Sequence, residues 1–476
     1  MTIKYLTAGF LMKKFFFSLR FIVILTLLLG IYALFLDNFQ GAVSKNDFNI
    51  VLITIDTLRV DHLSCYGYEH NTSPNMDNIA DRGIIYKNAI APCSWTAPSM
   101  ASLFTSLYPI NHGVIHGVFY KPKEAKHIIS DELTTLAEIL KTHGYTTFGV
   151  SSNLQLNKKR GFAKGFDYFE CQYKQSTAPF VNKTIYSWKD EIKRSDKFFL
   201  WVHYMDPHGP YHARSPWIER YTSKASTQLS LAGKKTKEIE EYIPILKKDP
   251  KALSNLIALY DSEINFVDSY IGKLIQRFEL DNNTLIIITA DHGEEFLEHD
   301  QFTHGNNLFQ ETIRIPLIVK LPNRSQKKVV ETHVNLVDIM PTILDALNID
   351  PPEQTLGKSF LEKKGSLFWI KKTFLTKDAS EYNFSELDLN STLKTIMTPE
   401  WKYIYNYKDK TEQLYNVKSD PLELHNLIDK KTKQASQLKE QLFQWVANSK
   451  KYHSKGHSLK LSPEEKERLK ALGYIE

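Results

Sequence analysis

Residues 49–56 read NIVLITID, an apolar run that ends in a carboxylate. Such a run is typical of a strand buried on both faces of a sheet. Two further segments have the same character, FFLWVHYMD at 198–206 and TLIIITADHG at 284–293. Helical patterns lie between or after them, one over 133–143 and one over 252–278. Buried strands that alternate with helices predict an α/β fold, a mainly parallel sheet flanked by helices.

Polar residues follow each of these three apolar runs. Asp56, Asp206, Asp291 and His292 each stand at the end of a predicted strand. In open parallel sheets, ligands bind outside the carboxyl ends of the strands. We therefore expect these side chains to gather at one edge of the sheet and to line a site there.

The sequence pattern changes beyond about residue 373. Residues 401–407, WKYIYNY, alternate with period two and predict an antiparallel strand. A lysine-rich amphipathic helix is predicted over 430–448. The sequence thus predicts a large domain over 46–373 and a smaller C-terminal α+β subdomain over 374–476.

The N-terminus has the pattern of a membrane segment. Residues 15–36 read FFFSLRFIVILTLLLGIYALFL, and a spanning helix needs about 20 such residues. Lys13, Lys14 and Arg20 precede or begin this stretch, which predicts that end in the cytoplasm. Residues 1–40 are therefore predicted to hold a cytoplasmic stub and one transmembrane helix. The prediction is a single-pass cell-membrane protein with an extracytoplasmic body. A cleaved signal peptide, with Gly41-Ala42 as the cleavage site, is the alternative.

The composition excludes several classes of protein. The net charge of +6 is too mild to indicate a nucleic-acid partner. A hydrophobic content of 42% is typical of a globular chain and excludes a disordered one. Three cysteines allow at most one disulfide, so the core has to be held by packing.

Asp56, Asp291 and His292 offer oxygen and nitrogen donors from two strand ends, an arrangement that can converge on one cation. The alternative is that each aspartate caps a following helix. The pairing of Asp56 with Asp-His-Gly on a second buried strand favours a metal, so one divalent ion is predicted. A nitrogen ligand among oxygens favours zinc or manganese, with calcium and magnesium left open.

Ordered motifs along the chain resemble those of one enzyme family. The longest are NIVLITIDTLRVDHLSCYGY (49–68) and TSPNMDNIADRGIIYKNAIAPCSWTAPSMASLFTSLYP (72–109). Others are HYMDPHGPY (203–211), YDSEINFVDSYIGKL (260–274), IIITADHGEEF (286–296), THGNNLFQETIRIPLIV (303–319), WKYIYNYKDKTEQLYNVKSDPLELHNL (401–427) and LKALGY (469–474). Together they resemble the sulfatase-like branch of the alkaline phosphatase superfamily. The resemblance implies an alkaline-phosphatase-like fold and a metal-dependent enzyme.

The resemblance also implies a nucleophile. Formylglycine sulfatases of this family carry Cys-x-Pro-Ser-Arg, or a serine version. Aligning the Pro-Ser pair at 98–99 puts Thr96 at the nucleophile position and Met100 in place of the arginine. Cys93 and Ser94 lie three and two residues too early. Family members with threonine at this position resemble phosphoethanolamine and phosphoglycerol transferases, which form a covalent intermediate on that threonine.

The sequence supports two interpretations of the role of Thr96. A hydroxyl coordinated to a metal loses its proton more readily and can attack phosphorus. The alternative is a threonine that merely caps a helix over Ala97–Leu107, with Pro98 in the first turn. The two are compatible, because a helix N-terminus also stabilises a bound anion.

Three departures from the family pattern argue against a strictly sulfate-specific pocket. Asp56 is followed by Thr57 and not by a second aspartate. Residues 149–154 lack the lysine and the histidine of the family segment, and 304–306 read HGN where an anion-binding lysine is expected.

Two histidines are candidate substrate contacts. His208 matches a family histidine near the transferred group, and His304 lies near the position of the missing lysine. Imidazoles can bind an equatorial oxygen or protonate a leaving alkoxide, whereas the alternative for each is a structural hydrogen bond. Arg59 could contact the anion or simply pair with Asp61. The remaining candidates are predicted to be structural or surface residues, namely His62, His112, His116 and His299.

The combined prediction is a metal-dependent hydrolase or transferase that acts on anionic phospho- or sulfo-esters through a covalent intermediate. Thr96 is the predicted nucleophile and also a metal ligand, together with Asp56, Asp291 and His292. The predicted partners are the membrane and an anionic ester in a lipid head group or an envelope glycan. The alternatives are a sulfuric ester hydrolase and a non-catalytic envelope protein that binds a glycan or lipid.

Overall fold

The strand predicted from NIVLITID is β1, Asn49–Ile55, and all its residues after Asn49 are buried. In the computed structural model it lies within an eight-stranded sheet, between β5 (Phe198–Tyr204) and β6 (Thr284–Ala290). Both neighbours run parallel to it. Residues 48–117, 128–171, 176–222, 231–280, 282–323, 325–361, 382–389 and 392–449 are described, with positions 463 and 467.

The large sheet is mainly parallel. Its other strands are β2 (Ile84–Ile90), β3 (Thr146–Ser151), β4 (Tyr168–Cys171), β9 (Arg314–Lys320) and β10 (Lys328–Asn335). Their order is β10-β2-β9-β6-β1-β5-β3-β4. β9 runs antiparallel to β2 and β6, while the other neighbouring pairs are parallel. The predicted α/β fold with a mainly parallel sheet is confirmed.

Helices alternate with these strands along the chain. In chain order, those of the described residues are α1 (Pro74–Ala80), α2 (Thr96–Thr105), α3 (Pro109–His112), α4 (Leu136–Thr142), α5 (Ala178–Ser187), α6 (Lys189–Arg194), α7 (Thr236–Glu240), α8 (Ile243–Leu246), α9 (Pro250–Phe278), α10 (Gln310–Ile313), α11 (Ile339–Ala346) and α12 (Thr432–Asn448).

The local sequence explains where the two predicted helices begin. Helix α4 starts at Leu136 and not at residue 133, because Thr135 accepts the amide of Glu138 while the Glu138 side chain accepts that of Thr135. This capping box satisfies amides that the first turn leaves unpaired. Helix α9 begins two residues before its predicted start, where the Asp249 side chain accepts two amides of its first turn.

The C-terminal part is built on an antiparallel sheet. Its strands are β11 (Asn383–Asp388), β12 (Thr392–Met397), β13 (Trp401–Asn406) and β14 (Glu412–Asn416), each paired with the next. Helix α12 covers one face, where Leu438 and Leu442 pack with Ile396, Tyr403 and Leu414. The predicted antiparallel strand and C-terminal helix are therefore present, as α+β structure. The boundary at 373/374 remains a prediction.

The structure describes two more short strands, β7 (Glu295–Phe296) and β8 (Phe302–Thr303), which form a ribbon between β6 and β9. This ribbon follows the Asp-His-Gly motif directly in the sequence.

The prediction of a single-pass membrane protein is corrected. In the described part of the chain, no helix is both long enough and apolar enough to cross a bilayer. Residues 15–36, on which that prediction depended, lie outside the described residues. The membrane localisation is not supported.

Two glycines allow a test of the backbone packing. Gly165 and Gly67 both adopt left-handed backbone angles, with φ of +84° and +106°. A Cβ at Gly165 would lie 2.2 Å from the Glu138 amide nitrogen in α4, whereas one at Gly67 would meet nothing within 4 Å. We expect Gly67→Ala to cost about 1 kcal/mol of unfolding free energy. Gly165→Ala should cost at least about 2 kcal/mol more, because backbone has to move. Urea unfolding measures both, and equal losses would contradict the packing at Gly165.

Candidate metal centre and active site

The register of two parallel strands brings two carboxylates together. Ile55 pairs with Ala290 across β1 and β6, so Asp56 and Asp291, the next residues, leave the sheet side by side. Both are fully buried. The Nε2 atom of His292 lies 3.6 Å from Asp56 Oδ1 and 3.4 Å from Asp291 Oδ2. It also lies 3.4 Å from the Oγ1 atom of Thr96, the first residue of α2. The structure thus brings together the four predicted metal ligands.

These four atoms fit a divalent cation. Within the described residues, Asp56 Oδ1 and Asp291 Oδ2 are buried without a hydrogen-bond partner, which is costly unless a ligand compensates. The His292 Nδ1 atom lies 2.9 Å from the Gly293 carbonyl and donates to it, so Nε2 presents its lone pair to the carboxylates. Ligands about 2.1 Å from a tetrahedral cation lie about 3.4 Å from one another, close to the separations observed.

The other oxygen of each carboxylate is already held. Asp56 Oδ2 accepts from Asn153 Nδ2 at 2.7 Å and from His203 Nε2 at 3.2 Å. Asp291 Oδ1 accepts from the backbone amides of Thr57, at 3.3 Å, and of His292, at 2.9 Å. Hydrogen bonds to one oxygen therefore orient each carboxylate and leave its other oxygen available. Hydrogen bonds from residues outside the ligand set orient metal ligands in the same way in other proteins.

A relay of side chains fixes His203. Trp201 Nε1 donates to Thr54 Oγ1 at 3.0 Å, and Thr54 Oγ1 lies 2.9 Å from His203 Nδ1. The Thr54 hydroxyl also donates to the Val202 carbonyl at 3.3 Å. The His203 ring carries a proton on Nε2 and donates it to Asp56 Oδ2, because an ionised carboxylate only accepts. His203 is grouped geometrically with Asp56 and Asp291, but this tautomer makes it a donor to a ligand and not a ligand.

The electrostatic environment favours the charged form of Asp56 and the neutral form of His292 but opposes a charge on Asp291. Burial raises the pKa of Asp56, but the His203 hydrogen bond and the neighbouring histidines outweigh it and lower that pKa. Burial lowers the pKa of His292 to about 3, so its ring is neutral. Burial and the charge of Asp56 raise the pKa of Asp291 well above its usual range. Two adjacent buried carboxylates oppose each other until a cation neutralises them.

Thr96 faces this centre and does not cap its helix. The N-cap residue is Trp95, which makes no side-chain cap, and Thr96 is already helical. The Thr96 hydroxyl accepts from Asn153 Nδ2 at 3.3 Å. Cys93 is buried, and burial raises the pKa of its thiol well above the usual range. The thiol therefore stays protonated and unreactive.

His304 and His208 lie beside the metal centre in different environments. Their rings are 5.1 Å apart, and the His304 ring is 4.4 Å from that of His292. His304 Nδ1 lies 2.8 Å from Glu294 Oε1, and although burial lowers its pKa, the Glu294 charge raises it overall. His208 Nδ1 instead lies 2.6 Å from the Gly209 carbonyl, and burial lowers its pKa. The Glu294 carboxylate thus favours the protonated form of His304, and burial favours the neutral form of His208.

Arg59 is engaged in structural contacts. Its guanidinium lies 2.7 Å from Asp61 and 2.5 Å from Glu298, and it donates to the Glu294 carbonyl at 3.0 Å. The alternative of pairing with Asp61 is therefore the one observed. Of the histidines predicted to be structural, His62 pairs with Asp261 and His112 with the Ser102 hydroxyl.

Sequence reasoning missed three residues of the site, namely Asn153, His203 and Glu294. His203 had a detectable signal, because a histidine inside a buried strand beside an aspartate strand is a candidate partner for that aspartate. Glu294 directly follows Asp-His-Gly. Asn153 had none, because its role depends on how the turn after β3 folds back onto Asp56.

A second cluster of candidate ligands lies elsewhere in the described chain, at Glu295, His299 and Glu311. There the oxygens of Glu295 accept from the His299 and Gln301 amides and from Asn307 Nδ2. His299 Nδ1 lies 2.6 Å from Glu311 Oε1. These groups satisfy one another, so the cluster does not fit a metal as the first one does.

A parallel-sheet edge with paired carboxylates, an imidazole and a hydroxyl is an arrangement that can hold a divalent cation. Comparisons with known proteins agree. The family model described as Sulfatase matches residues 48–349, and the one described as N-sulphoglucosamine sulphohydrolase, C-terminal, matches residues 298–450. The chain belongs to the sulfatase family. It is an ester hydrolase of this superfamily, and the predicted family resemblance is confirmed.

Individual relatives cover most of the chain. An arylsulfatase from Clostridium perfringens is 25% identical in an alignment 448 positions long, which covers 80% of this chain and 90% of the relative. The multifunctional alkaline phosphatase superfamily protein PehA of Trinickia caryophylli is 24% identical in an alignment 473 positions long, which covers 80% of this chain and 91% of the relative. The crystal structure of the phosphonate monoester hydrolase of Agrobacterium radiobacter has a TM-score of 0.64 at 18% identity, covering 84% of this chain and 95% of that one.

We expect the Asp291 side chain to lower the stability of the protein without metal and to raise it when metal is bound. Without metal, Asp291→Asn should melt at a higher temperature than the wild type, because it removes one of two opposed buried carboxylates. With manganese or zinc at about 100 times the dissociation constant, the wild type should gain about 2.7 kcal/mol and the variant much less. Differential scanning calorimetry in chelator and in metal measures both.

Asp261→Asn provides the control, because Asp261 is a buried carboxylate paired with His62 and Tyr68. It should lose stability in chelator and in metal alike. An equal metal-induced gain in Asp291→Asn and the wild type would contradict the assignment of Asp291.

Proposed function

We propose that the protein cleaves anionic phosphoesters through a covalent intermediate on Thr96. The observation that carries this proposal is the position of the Thr96 hydroxyl, 3.4 Å from His292 Nε2 and 3.3 Å from Asn153 Nδ2. It lies at the N-terminus of a ten-residue helix, where the helix dipole favours a bound anion. The other two nucleophile candidates of this stretch are less suitable, since the Cys93 thiol is protonated and Ser94 precedes the helix.

Asp56, Thr96, Asp291 and His292 would hold the cation. One nitrogen beside three oxygens favours zinc or manganese over calcium or magnesium. When bound, the cation supplies a Lewis acid that lowers the pKa of the Thr96 hydroxyl and offsets charge on the transferred group.

In the first step, Thr96 Oγ1 attacks phosphorus. The Oγ1–P bond forms, the bond from phosphorus to the leaving oxygen breaks, and the hydroxyl proton passes to solvent. Asn153 Nδ2 stabilises the attacking oxygen by donating to it. The leaving oxygen takes a proton from His304. In the second step water attacks phosphorus and gives one proton to His304, the Oγ1–P bond breaks, and Thr96 Oγ1 takes a proton back from solvent.

The charges of the two histidines support different roles. The Glu294 carboxylate raises the pKa of His304 and so favours the protonated form that a general acid needs. Glu294 is in turn fixed by Tyr211, whose hydroxyl donates to Oε2 at 2.9 Å. His208 is neutral and would donate a hydrogen bond to an oxygen of the transferred group. A histidine and a glutamate thus occupy the region in which the sequence lacks the family's lysine.

Phosphoesters are the proposed substrates because Thr96 cannot become formylglycine, since its β-carbon carries a methyl group. The relatives include an arylsulfatase as well as PehA, so the choice of phosphoesters over sulfate esters rests on Thr96. A phosphodiester in a lipid head group or an envelope glycan has the required chemistry. If an alcohol replaces water in the second step, the same centre acts as a transferase.

The nucleophile can be tested directly. Thr96→Ala should lower kcat for bis(4-nitrophenyl) phosphate by at least about a thousand-fold, because it removes the attacking oxygen. Thr96→Ser keeps that oxygen and should retain measurable turnover. Intact mass after rapid quenching should show a phosphoryl adduct in the wild type. The substrate 4-nitrophenyl sulfate should be turned over more slowly than the phosphodiester.

Thr105→Ala is the matched control, because Thr105 ends the same helix and its hydroxyl donates to the Ala101 carbonyl at 2.7 Å. It should leave kcat near the wild-type value. Undiminished turnover by Thr96→Ala would remove Thr96 from the mechanism.

The acid role of His304 predicts a dependence on the leaving group. His304→Gln cannot donate a proton as an imidazolium does, so kcat for alkyl phosphoesters should fall by about 10²–10⁴-fold. The loss should be much smaller for 4-nitrophenyl esters, whose leaving group needs no proton. Glu294→Gln should act in the same direction with a smaller effect. Equal losses for all leaving groups would contradict the role.

A further inference from the structure

The C-terminal part carries two lysine–glutamate pairs that each hold a backbone amide of the large domain, one fully buried and one with a partly exposed lysine. Lys402 Nζ lies 2.8 Å from Glu423 Oε1 and 3.0 Å from Oε2, and both side chains are fully buried. Glu423 Oε2 also accepts the Gln310 amide at 2.8 Å. The second pair is Lys394 with Glu386, whose Oε1 accepts the Ile110 amide at 2.5 Å.

The Glu423 pair is connected to the metal centre through one short segment. Gln310 begins α10, and the next two residues accept from the Asp-His-Gly-Glu motif. The Glu294 amide donates to the Glu311 carbonyl at 3.0 Å, and the Gly293 amide donates to the Thr312 carbonyl at 2.8 Å. A Cβ at Gly293 would lie 2.0 Å from the Glu311 carbonyl oxygen, so the two segments are in close contact. Two successive hydrogen bonds therefore link the Glu423 carboxylate to the backbone beside His292 and Glu294.

His299 forms a second link between the same elements. Its Nε2 atom donates to the Glu423 carbonyl at 3.2 Å, and its Nδ1 atom donates to Glu311 Oε1 at 2.6 Å. The ring stacks on Phe309 with centroids 3.6 Å apart. Phe309 in turn packs with Ile404 and Tyr415 of the C-terminal sheet.

The chain between β6 and β9, to which α10 belongs, contains strained backbone. Between β6 and β9, three non-glycine residues have positive φ, namely Leu297 at 71°, Asp300 at 66° and Thr303 at 74°. Glu423 itself has φ of 56°. Such conformations persist only where surrounding contacts fix them. The Ile110 end of the other ion pair lies in α3, which supplies none of the proposed metal ligands.

We infer that Lys402 and Glu423 are positioning residues for the metal centre, a role that rests on the proposed function of that centre. They hold α10 against the C-terminal sheet, α10 holds the backbone of residues 293–294, and that backbone sets His292 and Glu294. Neither side chain touches the substrate.

The test compares two double variants of the full chain that each remove a pair without leaving an unpaired buried charge. These are Lys402→Met/Glu423→Ala and, as the matched control, Lys394→Met/Glu386→Ala. Titration with manganese against a chelating fluorophore should show a dissociation constant about 10–100-fold higher in the first variant, the usual loss when a group that orients a metal ligand is removed. The control should bind manganese like the wild type. Lys402→Met/Glu423→Gln restores an acceptor for the Gln310 amide and should recover most of the affinity.

Hydrogen exchange in chelator separates this inference from the proposed function, because it needs neither metal nor turnover. The Gly293 and Glu294 amides should exchange faster in Lys402→Met/Glu423→Ala and unchanged in the control. Unchanged exchange at these amides, or equal loss of manganese affinity in both double variants, would overturn the inference. If the wild type binds no divalent cation, the proposed function fails and the exchange result alone decides the positioning role.

Discussion

Two adjacent buried carboxylates, each with one oxygen that lacks a hydrogen-bond partner among the described residues, are the constraint on which the site depends. The parallel pairing of β1 with β6 places Asp56 beside Asp291 in the buried interior. Each presents an oxygen without a partner among the described residues. The fold holds this unfavourable arrangement because β1 is buried between two parallel neighbours and cannot turn either aspartate to solvent. A cation is the group that resolves it.

The surrounding hydrogen bonds decide which atoms remain available. Asn153 and His203 occupy one oxygen of Asp56, and backbone amides occupy one oxygen of Asp291. The Gly293 carbonyl fixes the tautomer of His292. The residues that hydrogen-bond to the proposed ligands therefore decide which ligand atoms can bind a cation. Substitutions outside the ligand set can for this reason change the affinity for metal.

The sequence was sufficient for the fold because its signals are local. The runs at 49–56, 198–206 and 284–293 identify buried strands, and the polar residues that end them identify the edge of the sheet. Other features are set by tertiary contacts and leave no such signal. Asn153 reaches Asp56 only because the turn after β3 folds back over β1. The antiparallel direction of β9 and the contact of Glu423 with α10 likewise depend on chain paths that no periodicity encodes. The membrane prediction came from residues 15–36 alone, and the described chain does not support it.

The buried threonine at the start of α2 has a consequence for how the protein becomes active. In this family, formylglycine is made by a maturation reaction on a cysteine or a serine. With Thr96 as the nucleophile, the reactive oxygen is genetically encoded and is in place as soon as the polypeptide has folded. Activation would then be limited by the supply of a cation and not by a maturation system, so the gene product could function in a host that lacks one.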